Sequence, residues 1–504
     1  MMMRRLFVSA SLLALASCAT PPAAVPTAPP PAAEAPAPQD AEAFRAKMPE
    51  AGKAPDLVLP TFERAQLDNG LTVLVATRRQ LPLVSVGMAF SAGSAQDPAG
   101  AGGVADITYK MLLEGAGGKD TLALDNAFSD LGVSPSVSIT PDGAFLGVQV
   151  LTRNVQPALA LLADVVRKPT FAPKDFERRK QLQLADLVRR LGSPSFLAQQ
   201  AYLPAVFGEG HPYAHPTGGT PAEVSQLTLP AVQAFYRKHV GPQATALVVA
   251  GDLSKEQAVE LAKQYFGDWK GQAVQPPAPP APPVPPREKV LYVSKPGLEQ
   301  TTVLVGRPGL AAGHPDEDAL ELATTVFGGF FGSRLNMNLR EAKGYTYGAG
   351  ASSDPRLGVG PLTANSAVRA NVTGPAVTEF FRELADLRSR PITSQELESA
   401  REGLIRSFPG GFERVSGLGA SAAALFYKHL PMDELNRTVE RLEKATPAEV
   451  QRVAEAYLDP AAMQLILVGD PEIIRTQVGP LNLGTLTPVD VAGAGRPAPG
   501  KAGK

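Results

Sequence analysis

Two segments of this chain repeat each other, and the repeat constrains the fold more than any other feature of the sequence. Residues Thr228 to Asp252 align with residues Thr446 to Asp470 without a gap, at a constant offset of 218 positions. In each segment a helix-like stretch leads through a proline, Pro242 or Pro460, into a short apolar run. The pattern indicates a tandem duplication; the alternative is a chance similarity between strands that end in Gly-Asp.

The repeated apolar runs also indicate the fold class. Residues Ala246 to Ala250 and Leu465 to Val468 have the length and the β-branched content of buried strands. The two halves begin alike, because Leu83 to Gly87 and Thr301 to Gly306 are both strand-like and both precede a small-residue loop and a helical stretch. We therefore expect an α+β chain of two tandem homologous domains, each a mainly antiparallel sheet packed with helices.

Two proline-rich tracts divide the chain into parts. Residues 21–40 contain eight prolines and seven alanines, a composition that favours extended conformations and cannot bury a core. Residues 276–286 contain eight prolines in 11 positions and separate two segments of similar length. The sequence thus predicts a signal peptide over 1–17, a tether over 18–55, an N-terminal domain over 56–272, a proline-rich linker over 273–287, a C-terminal domain over 288–486 and a disordered tail over 487–504.

The first residues have the pattern of a bacterial export signal. Arg4 and Arg5 precede an apolar run from Leu6 to Ala16, which is too short for a membrane-spanning helix. Cys18 follows small residues, and the arrangement resembles a lipobox, in which the cysteine becomes the acylated N-terminus; the alternative is an ordinary cleaved signal with an incidental cysteine. We expect lipidated Cys18 to anchor the protein on the periplasmic side of the cell envelope, and Ala19 favours the outer membrane.

Composition excludes several classes of function. Cys18 is the only cysteine among 504 residues, so the chain can have neither an internal disulfide nor a thiolate metal site. Acidic and basic residues nearly cancel, with a net charge of −1, and the sequence has no prominent basic patch. Nucleic acid is therefore not expected as a partner.

The second half contains a segment, Phe330 to Tyr347, that predicts a packed helix followed by a glycine turn. Leu335 and Leu339 lie four residues apart and fit one buried helical face, and Gly344 is suited to end the helix. This segment carries a family resemblance, together with the helix-like stretch Gly103 to Leu112 of the first half.

From Leu57 to Gly484 the chain resembles the insulinase-like, pitrilysin-type (inverzincin) metallopeptidase family. In size and layout it is similar to subunits of the mitochondrial-processing-peptidase type and of bacterial two-chain relatives. The resemblance implies two peptidase-like domains that form half of a clamshell peptidase, since single-chain relatives enclose the proteolytic chamber with twice this length. A partner chain is therefore expected.

Active members of that family bind zinc through the motif His-x-x-Glu-His, whose positions are held here by Asp106 to Lys110. The spacing presents two imidazoles to one ion from one helical face, while the glutamate activates a bound water. The three functional positions hold Asp106, Tyr109 and Lys110, and the third family ligand maps to Asp186. A protonated lysine has no lone pair to donate to a metal. We therefore expect no zinc in this chain and a zinc ion in the partner subunit.

His211 and His215 form the one close pair of histidines that could replace the motif. They lie in the sequence His-Pro-Tyr-Ala-His-Pro, where Pro212 and Pro216 argue against a helix that presents both rings to one ion. The family has a similar segment as a structural loop, and we interpret the pair in that way.

The resemblance also implies a role for Arg340 and Tyr347. They map to an arginine and a tyrosine that lie across the chamber from the zinc and contact the peptide. A guanidinium can hold substrate carbonyl groups, and a phenol can donate to the oxyanion that develops at the scissile carbonyl. The alternative is that Arg340 pairs with an acidic neighbour and Tyr347 packs in a strand.

The expected function is that of a non-zinc-binding subunit of a heterodimeric periplasmic zinc metallopeptidase, which degrades or processes peptides. The chain would supply Arg340 and Tyr347 to a site that a zinc-bearing partner completes, and it would be inactive alone. The alternative is a catalytically inactive pseudopeptidase that serves as a scaffold or a peptide-binding module. The presence of both Arg340 and Tyr347 at this spacing favours the peptidase subunit over the scaffold.

Overall fold

The computed structural model describes residue 57 and residues 59–491 of the chain. The predicted signal peptide, the tether, Cys18 and most of the predicted tail lie outside these residues. Within them, no helix has the length and apolar character needed to cross a membrane.

The strands of the described residues form two sheets of six. They are β1 (Glu63–Gln66), β2 (Thr72–Thr77), β3 (Leu83–Phe90), β4 (Ser136–Ile139), β5 (Ala144–Leu151), β6 (Thr245–Gly251), β7 (Lys289–Ser294), β8 (Gln300–Pro308), β9 (Thr346–Ser353), β10 (Pro361–Arg369), β11 (Gln464–Gly469) and β12 (Thr485–Pro488). The strand order is β1-β2-β6-β3-β5-β4 in the first sheet and β12-β7-β11-β8-β10-β9 in the second.

Helices follow the strands in both halves. They are α1 (Val104–Met111), α2 (Thr121–Ser129), α3 (Val155–Arg167), α4 (Pro173–Arg190), α5 (Pro194–Phe207), α6 (Pro221–Gln226), α7 (Leu229–His239), α8 (Lys255–Phe266), α9 (Glu317–Thr324), α10 (Arg334–Asn336), α11 (Thr373–Ser389), α12 (Ser394–Phe412), α13 (Val415–Tyr427), α14 (Glu434–Lys444), α15 (Pro447–Tyr457) and α16 (Pro471–Val478). Two π-helical turns, Thr325–Gly329 and Met337–Ala342, follow α9 and α10.

The duplicated sequence forms equivalent structure in the two halves. Helices α7 and α15 begin alike, because Thr228 and Thr446 each accept a hydrogen bond from the backbone N–H group three residues later. The strands that follow these helices are also equivalent: β6 runs parallel to β2 and antiparallel to β3, and β11 runs parallel to β7 and antiparallel to β8. The predicted pair of tandem, mainly antiparallel α+β domains is confirmed.

The two sheets differ at one edge. In the first sheet the edge strand β1 pairs antiparallel with β2. In the second sheet the edge strand is β12, the last strand of the described residues, and it pairs parallel with β7. Thr487 and Pro488 belong to β12, and the Val489 N–H donates to the Tyr292 carbonyl at 2.8 Å. The predicted start of the tail at residue 487 is therefore too early, because these residues complete the sheet edge.

Each half contributes one helix to the sheet of the other half. Helix α5 packs on β8 and β11 of the second sheet, and α13 packs on β3 and β6 of the first. The Tyr202 hydroxyl on α5 donates to the Leu362 carbonyl at 3.0 Å. The contact around α5 is a core of buried apolar side chains that includes Leu197, Tyr202, Val293, Leu304, Ile466 and Val468. The linker therefore lies between the two sheets in the sequence, but the two halves share a core and do not pack independently.

From residue 273 to residue 282, the proline-rich linker packs against the body at every third residue. Ala273, Pro276 and Pro282 are buried and Pro279 is half-buried, while the residues between them are mostly exposed. This spacing matches the three residues per turn of a polyproline II helix. The His211 Nε2 lies 2.9 Å from the Pro280 carbonyl oxygen and holds the middle of the linker.

Candidate functional site

Helix α1, which contains the first candidate site, begins in a tight turn. Gly103 precedes the helix with a φ of +91°, a left-handed conformation that glycine adopts without strain. The Asp97 carboxylate accepts hydrogen bonds from the backbone N–H groups of Gly103 at 2.6 Å and Ala105 at 2.8 Å. Desolvation raises the pKa of Asp97 well above its usual value, against the effect of these hydrogen bonds. Sequence reasoning missed Asp97, because a cap placed this far before a helix follows no regular spacing.

Asp106 and Lys110 form an ion pair along one face of α1. The Lys110 Nζ lies 2.6 Å from Asp106 Oδ2, and the Asp106 side chain is 10% exposed. Burial raises the pKa of Asp106, and the attraction and hydrogen bond of Lys110 oppose that rise. The two positions share one helical face, as their spacing predicts. They hold opposite charges that satisfy each other where active relatives are expected to hold two imidazoles.

Tyr109 is turned into the core of the first domain. Its side chain is fully buried, and its hydroxyl donates to the Ala92 carbonyl at 2.6 Å. Its ring centroid lies 4.9 Å from that of Phe90 and 6.1 Å from that of Phe235. Burial raises the pKa of Tyr109, so the phenol stays neutral. A neutral hydrogen-bonded phenol in the core cannot act as the base that a glutamate would provide at this position.

Asp186 reaches the same region from α4, which packs against α1. Its negative charge raises the pKa of Asp106, while Arg190 of the same helix lowers it. The Asp186 carboxylate itself lies 2.5 Å from Arg189 and 3.9 Å from Arg190. The structure therefore brings three of the four motif positions together, as the family resemblance implies, in a network of opposite charges.

The residues at these positions do not fit a zinc ion. Lys110 places a positive charge where active relatives are expected to have a histidine ligand, and Tyr109 points into the core. In residues 59–491 no group of three or more His, Cys, Asp or Glu side chains is arranged to hold a metal. His211 and His215 contact backbone carbonyl oxygens instead, at 2.9 Å and 3.3 Å, and belong to a loop beside the linker.

The second candidate site follows α10. The sequence predicts one regular helix here, but the structure has a short α-helix and then the π-helical turn Met337–Ala342. The Lys343 N–H donates to the Asn338 carbonyl at 2.9 Å, five residues earlier instead of four. Gly344, with a φ of +61°, ends the helical segment as predicted. Leu335 and Leu339 are fully buried, so the predicted packed face is present.

Buried polar contacts hold this segment against α11 and α12. The Arg334 guanidinium donates to Glu396 through Nε at 2.7 Å and through Nη2 at 3.0 Å, and the arginine side chain is 5% exposed. The Asn338 amide donates to Glu379 at 2.7 Å and to Glu383 at 2.6 Å. Burial would raise the pKa of Glu396, but the hydrogen bonds and charge of Arg334 and the Thr393 cap lower it to about 2.

Arg340 lies in the π-helical turn and is half-exposed. Its Nε is 3.2 Å from the Glu341 carboxylate, and both side chains are more than two-fifths exposed. The guanidinium also lies 4.8 Å from the centroid of the Phe331 ring. Arg340 thus has the acidic neighbour that the alternative interpretation predicts, in a pair that solvent reaches.

Tyr347 is not packed in its strand. It lies near the start of β9, the edge strand of the second sheet, and is 90% exposed. It lines a cavity of about 1440 Å³ at the end of that sheet, together with Tyr345, Lys343 and Arg369. Arg340 is not among the residues that line this cavity. The structure therefore places Tyr347 at an open cleft and Arg340 outside the cavity wall.

Two family models match the chain. Residues 72–192 match the model described as "Insulinase (Peptidase family M16)". Residues 226–404 match the model described as "Peptidase M16 inactive domain". The two matches together span more than half of the chain.

Curated relatives are similar over most of their length. A zinc protease of Mycobacterium leprae is 24% identical over 404 residues, which cover 79% of this chain and 89% of the relative. A zinc protease of Bacillus subtilis is 23% identical over 404 residues, which cover 79% of this chain and 97% of the relative.

Solved structures share the fold. A peptidase M16 inactive domain from Pseudomonas fluorescens has a TM-score of 0.76 at 27% identity, over 81% of this chain and 98% of that one. A protease from Helicobacter pylori has a TM-score of 0.75 at 20% identity, over 81% of this chain and all of that one. Because both halves match models of one family and the fold is that of its solved members, the chain belongs to peptidase family M16, the insulinase family.

Proposed function

We propose that this chain is the non-zinc-binding subunit of a heterodimeric periplasmic zinc metallopeptidase that degrades or processes peptides. It contributes Arg340 and Tyr347 to a site that a zinc-bearing partner subunit completes. By itself the chain binds no catalytic zinc and cleaves no peptide.

One contrast between the two halves carries the proposal. In the first half the side chains at the motif positions are not free to bind a metal ion, because Lys110 pairs with Asp106 and Tyr109 is buried. In the second half Tyr347 is 90% exposed at a wide cavity, where a tyrosine kept only for packing would be covered. An accessible phenol, combined with the absence of a metal site from residues 59–491, suits the chain to act on a substrate that another chain activates.

The side chains of the second half have the chemistry that this role requires. The Tyr347 hydroxyl can donate to the oxyanion at the scissile carbonyl. Arg340 can donate to substrate carbonyl oxygens once it leaves Glu341. That exchange is easy, because a solvent-exposed ion pair contributes only about 0.2–1 kcal/mol.

The second candidate function is a pseudopeptidase that acts as a scaffold or a peptide-binding module. The observation in its favour is the position of Arg340, which pairs with Glu341 and does not line the cavity that Tyr347 lines. In a scaffold the two side chains would not need to meet on one substrate.

The test is an assay of three preparations on a peptide library: the purified chain, a zinc-bearing family chain from the same cell, and their equimolar mixture. The subunit proposal predicts cleavage by the mixture and none by this chain alone. Cleavage by the zinc-bearing chain that does not change when this chain is added would favour the scaffold. Metal analysis of the purified chain should find zinc well below one ion per molecule, and a stoichiometric content would contradict the proposal.

A further inference from the structure

The cavity beside Tyr347 is lined by three charged side chains. It lies where β8 and β9 begin and β10 ends, and the charged residues are Glu299, Lys343 and Arg369. Two cations against one carboxylate leave the wall with a net positive charge. A concave wall with an excess of one sign of charge concentrates ligands of the opposite sign.

Arg369 is the cation in this wall that has no ion-pair partner among the residues that the structure describes. It is the last residue of β10, whose burial alternates so that Asn365, Ala367 and Arg369 are exposed while the residues between them are buried. No carboxylate within the described range forms an ion pair with Arg369. An arginine without a partner keeps all its side-chain donors for a ligand.

Lys343 is held only loosely. Its Nζ lies 3.8 Å from the Glu379 carboxylate, at the limit of an ion pair, and its side chain is 38% exposed. Glu379 already accepts from Asn338 at 2.7 Å and pairs with Arg382. Lys343 can therefore turn toward a ligand in the cavity without leaving Glu379 unsatisfied.

The face of β10 connects this cavity to a second one. A pocket of about 460 Å³ between α5 and the second sheet is lined along β10 by Thr363, Asn365 and Ala367, and Arg369 follows two residues later. Alternate residues of a strand lie on one face, about 7 Å apart. An extended peptide that follows this polar and mostly uncharged row would therefore bring one end to Arg369.

We infer that this cavity binds a carboxylate of the peptide substrate through the Arg369 guanidinium, with Lys343 adding a second positive charge. The planar fork of an arginine matches a carboxylate in a bidentate geometry that a lysine cannot offer. The carboxylate is either the C-terminus of the peptide or an Asp or Glu side chain, and the two share this chemistry. The inference rests on the proposed function for the ligand being a peptide, and it names the class of peptide preferred.

Binding to the full-length chain tests the site. Fluorescence anisotropy would compare a labelled peptide of about ten residues, long enough to cover the β10 face when extended, in three forms: a free C-terminus, an amidated C-terminus, and an amidated C-terminus with one internal Glu. The free acid or the internal Glu should bind about tenfold more tightly than the neutral amide, because a charge-assisted hydrogen bond is lost in the amide. Whichever acidic form binds more tightly identifies the source of the carboxylate.

Variants locate the effect. Arg369→Gln should abolish the tenfold preference and leave binding of the neutral amide within a factor of two, and Arg369→Lys should restore only part of the preference. Arg437→Gln is the matched control, since Arg437 is an exposed arginine on α14 that pairs with Asp433, and it should keep the full preference. A preference that survives Arg369→Gln, or equal binding of acid and amide forms, would overturn the carboxylate site.

Turnover separates this inference from the proposed function. If the mixture with the zinc-bearing chain cleaves acidic and neutral peptides equally well, the carboxylate site is wrong and the subunit role stands. If neither binding nor cleavage is found for any peptide, both are wrong.

Discussion

Among single residues, Lys110 changes the chemistry of the first site most. Its ammonium group lies against the Asp106 carboxylate, which is 10% exposed and has the charge of Asp186 nearby. The positive charge that compensates these carboxylates comes from the chain itself. The first domain therefore needs no metal ion to balance them.

Lys110→Met should destabilise the chain measurably. Removal of the ammonium leaves a buried carboxylate without its partner, and we expect the free energy of unfolding to fall by about 1–3 kcal/mol. Urea denaturation measures the change. Lys168→Met is the matched control, because Lys168 pairs with Asp164 at the same spacing but at 3.4 Å and with 66% of its side chain exposed, and it should cost less than about 0.5 kcal/mol. Equal losses for the two variants would contradict the structural role of Lys110.

The sequence predicts the chemistry of these positions better than their orientation. A lysine and a tyrosine in place of metal ligands can be recognised from residue type alone. That Tyr109 points inward is decided by Phe90 and Phe235, which come from other parts of the chain. Arg369 could not be identified in advance either, because its proposed role depends on a cavity lined by three strands and the loops beside them, and not on a local pattern.

Among the elements, the segment from α10 through the π-helical turn carries the second site. Its position is set by Arg334 and Asn338, which contact carboxylates on α11 and α12. The sequence predicted the buried leucines and the glycine stop of this segment. It did not predict the wide turn, since nothing in the side chains from 337 to 342 distinguishes five-residue from four-residue hydrogen bonding.

Glu396→Gln should lower stability in a way that depends on pH. The folded-state pKa of Glu396 is lowered to about 2, so its ion pair with Arg334 stabilises the fold above the unfolded-state pKa of about 4.3. That contribution is lost as the pH falls from about 4.3 through about 2. Glutamine keeps a capping side chain at this position but removes the charge.

Thermal unfolding of this variant and of wild type between pH 7 and pH 2 measures the difference. The two melting temperatures should differ at pH 7 and converge toward pH 2. Glu398→Gln is the control, because Glu398 is exposed in its pair with Arg401 and should have little effect at any pH. A difference in melting temperature that persists unchanged at pH 2 would contradict the argument.

The repeat predicted which strands are equivalent, but it did not predict the exchange of helices. β6 and β11 follow from the aligned segments, since the sequence pattern there is local. Which sheet α5 or α13 covers depends on side chains far away in the sequence, such as Leu304 and Ile466 for α5. The periodicity of apolar residues within a helix shows which face is buried, but it does not show which sheet covers that face.

For the whole molecule, the exchanged helices and the packed linker imply that residues 59–491 unfold as one unit. Each sheet would lose the cover of one face if the other half unfolded. Differential scanning calorimetry should therefore record one transition, with equal calorimetric and van't Hoff enthalpies. Two separate transitions would show that the halves are independent.

The expected anchor at Cys18 lies outside the described residues and makes a separate prediction. Replacing Cys18 with Ser should prevent acylation, so the protein should move from the membrane fraction to the soluble periplasm without loss of peptidase activity in the complex. Fractionation of cells that export the variant measures this. Membrane association that is unchanged in the variant would contradict lipidation at Cys18.

The central claim, that this chain acts in trans on a substrate held by a zinc-bearing partner, is tested most directly by the turnover of the mixture with Tyr347→Phe. Loss of one oxyanion donor should lower kcat about 10²–10³-fold and leave complex formation and the zinc content of the partner unchanged. The matched control is Tyr265→Phe, on α8 of the first domain and outside the cavity, which should retain full activity. A kcat for Tyr347→Phe equal to that of wild type would contradict the claim.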